Sequence, residues 1–178
     1  MPRDSAFASR RTGYRLRMRI SHVPLRLATG AFILNSGLTK RGIDAESAAG
    51  MQGMASAVVP QAAKMPPAQF GKVLSTGEMA LGAALLLPFV SPLKAGLALT
   101  AFSGGLLQMY RKTPGMTEAD GIRPTQAGTA IAKDVWMLGA GLALVLDALI
   151  DDTKGAAKST KKSVKRSAKK AKKALPVG

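Results

Sequence analysis

The sequence predicts an all-α integral membrane protein, a four-helix transmembrane bundle with basic cytoplasmic ends. Three observations carry this reading. Charge is segregated, because 16 of the 26 Lys and Arg fall in residues 1–19 and 154–173. Four apolar segments occupy the middle, each near the roughly 20 residues that cross a hydrocarbon core as a helix. Basic flanks lie at both ends of the even set of segments, which places both termini on the cytoplasmic side of a bacterial plasma membrane. A soluble helical core is the competing reading, but four such segments leave too little amphipathic chain to cover them.

The elements follow in order. Residues 1–22 form a basic N-terminal segment, "RDSAFASRRTGYRLRMR" followed by His22. "SRRTGY" has the look of a twin-arginine signal and "AESAAG" of a cleavage site, yet Arg26 and Asn35 interrupt the apolar stretch and three further spans follow. The first span is 23–40, "VPLRLATGAFILNSGLTK". In the first outer loop, 41–70, Asp44 is placed to cap a short helix, Glu46 favours its first turn, and Met51, Met54 and Val58 recur at helical spacing until Pro60. Two placements fit that helix: flat on the outer membrane surface, or packed over the mouth of the bundle. The second span, 71–90, contains Pro88 near its end, where a helix bends or stops. "SP" is the tight inner connection to the third span, 93–110, and a turn-rich outer loop, 111–128, leads to the fourth, 129–150. Small residues recur every four positions at Gly96, Thr100 and Gly104, at Ala80 and Ala84, and at Gly139 and Ala143, a spacing that lets helices approach closely in lipid.

The charged and amide side chains inside the spans are the candidate site. They are Arg26, Asn35 and Lys40 on the first span, Glu78 on the second, and Lys133, Asp134 and Asp147 on the fourth. At about 1.5 Å per residue, Glu78 and Asn35 come level near mid-depth. Opposite charges then match by depth, Lys40 with Asp134 near the outer surface and Arg26 with Asp147 near the inner one. A carboxylate at the bilayer centre costs about 2.5–3.5 kcal/mol on insertion scales. Glu78 therefore faces the interior and bonds Asn35, Ser36 or a basic side chain, or else takes up a proton. As a protonatable acid within the membrane it is the candidate proton-handling residue; as a bonded one it is a packing element.

"LRLATGAFILNSGLTK", "GEMALGAALLL" and "AKDVWMLGAGLAL" resemble the DoxX family of small four-span bacterial membrane proteins. The family pattern falls on Arg26, on Gly37 and Lys40, on Glu78 with Gly82, and on Lys133 with Asp134. The likeness covers about residues 20–150 and neither basic end. Pro88 stands where many relatives continue with glycine, and the long first outer loop and lysine tail are additions. The resemblance implies a subunit or anchor of a membrane-associated redox, oxidative-stress or sulfur-stress assembly, one that meets a quinone or redox partner proteins.

Composition narrows any such role. With no Cys there is no disulfide relay and no thiolate metal site. A single His, His22, offers no His pair for a haem and reads as an interfacial residue. Neither a dinucleotide fingerprint nor a P-loop is present. No intrinsic cofactor is expected and a quinone or partner would carry electrons, which favours a subunit or anchor over a self-sufficient enzyme. Residues 151–178 form a low-complexity tail, too charged to fold alone, whose Lys161, Lys162, Lys165, Arg166, Lys169, Lys170, Lys172 and Lys173 suit anionic lipid head groups. The same charges suit nucleic-acid phosphates or acidic partner proteins, but the tail has no aromatic residue for base stacking. Two further classes stand beside the redox subunit: a non-catalytic scaffold that anchors through the bundle and recruits through the tail, and a small proton-coupled transporter. Homo-oligomers are compatible with all three.

Overall fold

The computed structural model describes residues 20–174, the side chains of Ala156, Arg166 and residues 168–174 excepted. Its long helices are α1 (His22–Thr39), α3 (Pro67–Leu86), α4 (Pro92–Lys112) and α6 (Val135–Ala174). Shorter helices are α2 (Ala45–Ser56) and α5 (Thr129–Ala132), and single 3₁₀ turns occupy Lys40–Gly42 and Pro60–Lys64. Among the described residues there is no strand, only an isolated bridge between Thr117 and Pro124.

Proline sets several boundaries. Pro67 starts α3 and Pro92 starts α4, at a position where the missing N–H is not needed. α3 stops at Leu86, ahead of Pro88, so it begins and ends about four residues earlier than the second predicted span. Asp44 caps α2, accepting from the Ser47 amide at 2.7 Å and its hydroxyl at 2.8 Å. α2 packs against α3, and Gln52 of α2 is buried, donating to the Ala62 and Met65 carbonyls at 2.7 Å each. Of the two placements for this helix, the packed one is the contact seen.

α1 lies along α3 and α4 along α6, with lighter contact between the two pairs. Each pairing is permitted by glycine. A Cβ at Gly82 would sit 2.6 Å from the Leu34 amide nitrogen, and one at Gly141 would sit 2.8 Å from that of Thr100. Gly37 and Gly96 face neighbouring helices as tightly. The small-residue stripes are therefore only partly the contact faces. Gly96 and Thr100 meet α6, but through Gly141; Gly104 and Gly139 face open space, and Ala80 and Ala143 are exposed. A four-residue repeat drifts around a 3.6-residue helix, so only part of each stripe stays on the seam.

Three charged side chains are buried while several large apolar ones are exposed. Arg26 is 1% exposed, Glu78 5% and Asp134 9%, while Leu27, Phe32, Val73, Leu97, Leu142 and Leu146 are exposed. An apolar cluster of Ile33, Leu81, Leu85, Leu99, Met137 and Leu144 occupies the centre of the bundle. One helical run, Thr129–Lys165, is long and apolar enough to cross a membrane, and only 28% of its apolar window is buried. α1, α3 and α4 do not meet that test, because His22 and Arg26, Lys72 and Glu78, and Lys94, Arg111 and Lys112 dilute their apolarity.

The tail departs from expectation. Instead of disorder after residue 150, α6 continues through Ala174. Lys and Ala are strong helix formers, and a preformed apolar helix removes the nucleation cost that an isolated tail would meet. Lys154, Lys158, Lys161, Lys162 and Lys165 are exposed and, by their spacing, share one face of it. Arg166, Lys169, Lys170, Lys172 and Lys173 follow on the same helix, their side chains outside the described residues.

Candidate functional site

Polar side chains collect at two ends of the bundle. At the end where α1 begins and α3 stops, Arg26 donates through Nε to the Leu85 carbonyl at 2.7 Å. Its terminal nitrogens donate to Val90, Ala84 and Leu87 carbonyls at 2.9–3.0 Å. The cause is local. In a continuing helix the Ala84 carbonyl would accept from residue 88, and Pro88 has no N–H to give. Arg26 thus caps α3 from the side, and it does not pair with Asp147. Asp147 instead meets His22, Nε2 to Oδ2 at 2.6 Å. His22, read from sequence as interfacial, is buried, with its second ring nitrogen lacking a partner among the described residues.

The other end holds the second cluster. Lys40 Nζ donates to Glu78 Oε2 at 2.9 Å and to the Ser36 hydroxyl at 2.5 Å. The expected pairing of Lys40 with Asp134 is replaced by Lys40 with Glu78. Close approach of α1 to α3 at Gly37 brings the lysine to α3 first, and Ser75 of α3 fixes that register by donating to the Gly37 carbonyl at 2.8 Å. Because α3 runs from Pro67 to Leu86, Glu78 lies about 12 Å from its end and nearer the helix midpoint than the 71–90 span implied. Asn35 does not join the cluster. It lies two residues from both Ile33 and Gly37, on the opposite, exposed side of α1.

Lys133 and Asp134 arrive through a break between α5 and α6. There the helix tightens to three-residue hydrogen bonds, Asp134 N to Ile131 O and Met137 N to Asp134 O, both 3.0 Å. The tightening leaves Lys133 exposed and Asp134 buried. Short 3₁₀ stretches inside long helices often mark functional positions.

Ser36, Lys40, Glu78, Lys133 and Asp134 form the polar end of a cavity of about 290 Å³. Phe32, Phe70 and Phe102 supply aromatic walls, and Met51, Met54, Met109 and Met137 supply thioethers. α2 contributes Met51 and Met54, so the short helix covers the cavity. Trp136, the only Trp, packs edge-on against Phe32 with ring centres 5.9 Å apart. The structure thus gathers Lys40, Glu78, Lys133 and Asp134 from the predicted set, and assigns Arg26 and Asp147 to separate tasks at the far end. The cavity itself was not legible in the sequence. The methionine spacing of 51 and 54 marked a helix, but nothing there aimed it at Glu78.

Asp134 has no hydrogen bond or ion pair among the described residues. Outside the apolar helices, two exposed carboxyls are held below the usual carboxylate range. Asp44 is lowered by the Ser47 amide and hydroxyl, and Asp120 by the Arg123 guanidinium 2.6 Å away and then by backbone amides. Among the described residues no cluster of His, Asp and Glu has the spacing of a metal site. Comparison with family models, curated proteins and solved structures gives no match to this chain.

Proposed function

We propose that this chain is a four-span, DoxX-like membrane protein that serves as a subunit or anchor of a redox or stress assembly and receives a quinone-type head group in the cavity beneath α2. The carrying observation is that cavity, with apolar aromatic and thioether walls and a buried Lys40–Glu78 pair and Asp134 at one end. Ligand pockets are mostly apolar with a few placed polar groups, and this one fits a flat ring with oxygen substituents. The four-span reading draws support from helix lengths. α1, α3 and α4, at 18, 20 and 21 residues, span about 27–32 Å, close to a hydrocarbon thickness. It also draws on the exposed leucines, which suit lipid better than water. Both termini then lie in the cytoplasm, and Lys40, Glu78 and α2 toward the outer surface. When bound, the quinone supplies electron transfer; the chain's residues bind and orient it, and α2 excludes water.

Trp136 reports on the test. In lipid nanodiscs, a short-tailed benzoquinone should quench its fluorescence saturably. Ala55→Phe, which fills the cavity from α2, should abolish saturation and leave only the linear quenching of lipid-dissolved quinone. Linear quenching by the wild type would end the quinone reading. Because the chain has no Cys, single-cysteine labelling at Val59, Ala119 and Ser159 tests topology directly: the first two should react from outside and the third from the cytoplasm.

A second reading rests on the exposed lysine face of α6. There the bundle is a scaffold, and the basic helix docks on anionic lipid, with nucleic acid and acidic proteins as competitors. Vesicles rich in phosphatidylserine should outcompete duplex DNA for the full-length protein; the reverse order would favour nucleic acid.

A further inference from the structure

We infer that the cavity selects the reduced, dihydroxyl form of its ligand over the oxidised dicarbonyl form, with Asp134 as the acceptor; this rests on the quinone reading above. The donors at the polar end of the cavity are Lys40, Ser36 and Lys133. Lys40 directs its ammonium to Glu78 and Ser36, so little of it remains for a ligand. Ser36 accepts one of those bonds and keeps its own O–H as a donor. The other cation, Lys133, stands exposed at the rim.

Acceptors are in surplus. Asp134 is nine-tenths buried, lines the cavity, and meets no donor among the described residues. Glu78 uses only Oε2 in its contact with Lys40. The Asp134 carboxylate opens on the cavity without a protein donor, and a ligand that donates there supplies the missing bond. A quinone carbonyl only accepts. It adds a further acceptor beside Asp134 and leaves the carboxylate without a partner. A quinol hydroxyl donates to Asp134 and accepts from Lys133 through the same oxygen, which matches both groups at once. The aromatic and thioether walls are indifferent to the two forms, so the selection falls on the polar end.

The 3₁₀ tightening supports the assignment. It turns Asp134 into the bundle at the junction of α5 and α6 while its neighbour Lys133 faces out. A residue needed only for packing would not require a charge there without a partner.

The experiment is anaerobic calorimetric titration of the full-length protein in nanodiscs with a short-tailed benzoquinol and the matching benzoquinone. The quinol should bind at least about tenfold more tightly, the range of one hydrogen bond to a charged group. Asp134→Asn should weaken quinol binding by about that factor and leave quinone binding within about twofold, removing the preference. The wild-type comparison needs no variant, so a misfolded Asp134→Asn does not shelter the inference. Quinone binding equal to or tighter than quinol overturns the inference and leaves the quinone reading standing. Failure of both forms to bind the folded wild type overturns the two together. Equal weakening of both forms by Asp134→Asn makes Asp134 a packing residue and also overturns it.

Discussion

Arg26 offers the sharpest test of how the bundle is held. Its guanidinium satisfies four carbonyls around the end of α3, those of Ala84, Leu85, Leu87 and Val90. Arg26→Met keeps much of the side-chain volume and removes every one of these donors. Hydrogen bonds to charged groups contribute about 1.5–3 kcal/mol each, but such terms are not additive when they share one group. Each buried carbonyl left without its donor costs about 1–3 kcal/mol, so with sharing a loss of about 3–5 kcal/mol is expected. Arg26→Lys should recover part of it, since an ammonium keeps the charge but cannot span a fork of four acceptors. The mechanism makes a further demand. Pro88→Ala restores the N–H that Ala84 lacks, so Arg26→Met should cost less in the Pro88→Ala background. The assay is reversible unfolding in mixed micelles followed by Trp136 fluorescence, with far-ultraviolet circular dichroism alongside. An Arg26→Met protein within about 1 kcal/mol of wild type, or identical costs in the two backgrounds, would refute the capping argument.

Three other expectations follow from the same contacts. Gly82→Ala and Gly141→Ala should each destabilise by about 1–3 kcal/mol in the same unfolding assay, since the added carbon meets backbone that cannot yield. Gly104→Ala and Gly139→Ala, in open space, should be neutral or stabilise by up to about 1 kcal/mol. Lys40→Met should destabilise more than the double variant Lys40→Met/Glu78→Gln, because the single change leaves a buried carboxylate without its cation; equal stabilities in the unfolding assay would contradict the pairing. Asp44 has a carboxyl held below its ordinary range by Ser47, so its contribution to α2 is complete above the unfolded-state pKa and is lost as pH falls through the lower folded value. Hydrogen exchange at the Ser47 amide, corrected for intrinsic rates, should speed up across that acidic window in the wild type and show no such pH step in Asp44→Ala.

Much of the helical order was legible because the signals are local. Proline at 67, 88 and 92 and the cap at Asp44 act within a few residues, so the boundaries they set can be read directly. Pairing partners were not legible, for a physical reason. Depth along a span ranks which charges stand level, but rotation about each helix axis decides which of them meet. Depth matches Lys40 with Asp134, yet Gly37 and Gly82 bring α1 onto α3, and Glu78 takes the lysine. Asn35 shows the same limit. It is level with polar neighbours but two residues off their face. Composition likewise misjudged 151–174, where charge density argues for disorder. A basic segment continued from an apolar helix propagates from it and needs no nucleus of its own.

The arrangement of charge explains why, among the described residues, only one helical run stands out as a membrane segment by length and composition. Hydropathy averages around a helix, whereas burial separates its inner face from its outer one. α1 and α3 place Arg26 and Glu78 on inner faces and Leu27 and Val73 on outer ones, so their averages understate how apolar their surfaces are. Each buried charge on these helices has a named partner that removes its cost. Arg26 has the carbonyls around the end of α3, Lys40 has Glu78, and the half-buried Asp147 of α6 has His22. Asp134 is the exception, at the polar end of the cavity and beside the break that α5 and α6 share. In a bundle that neutralises its other interior charges locally, the unmatched carboxylate is the one directed at something the chain itself does not supply.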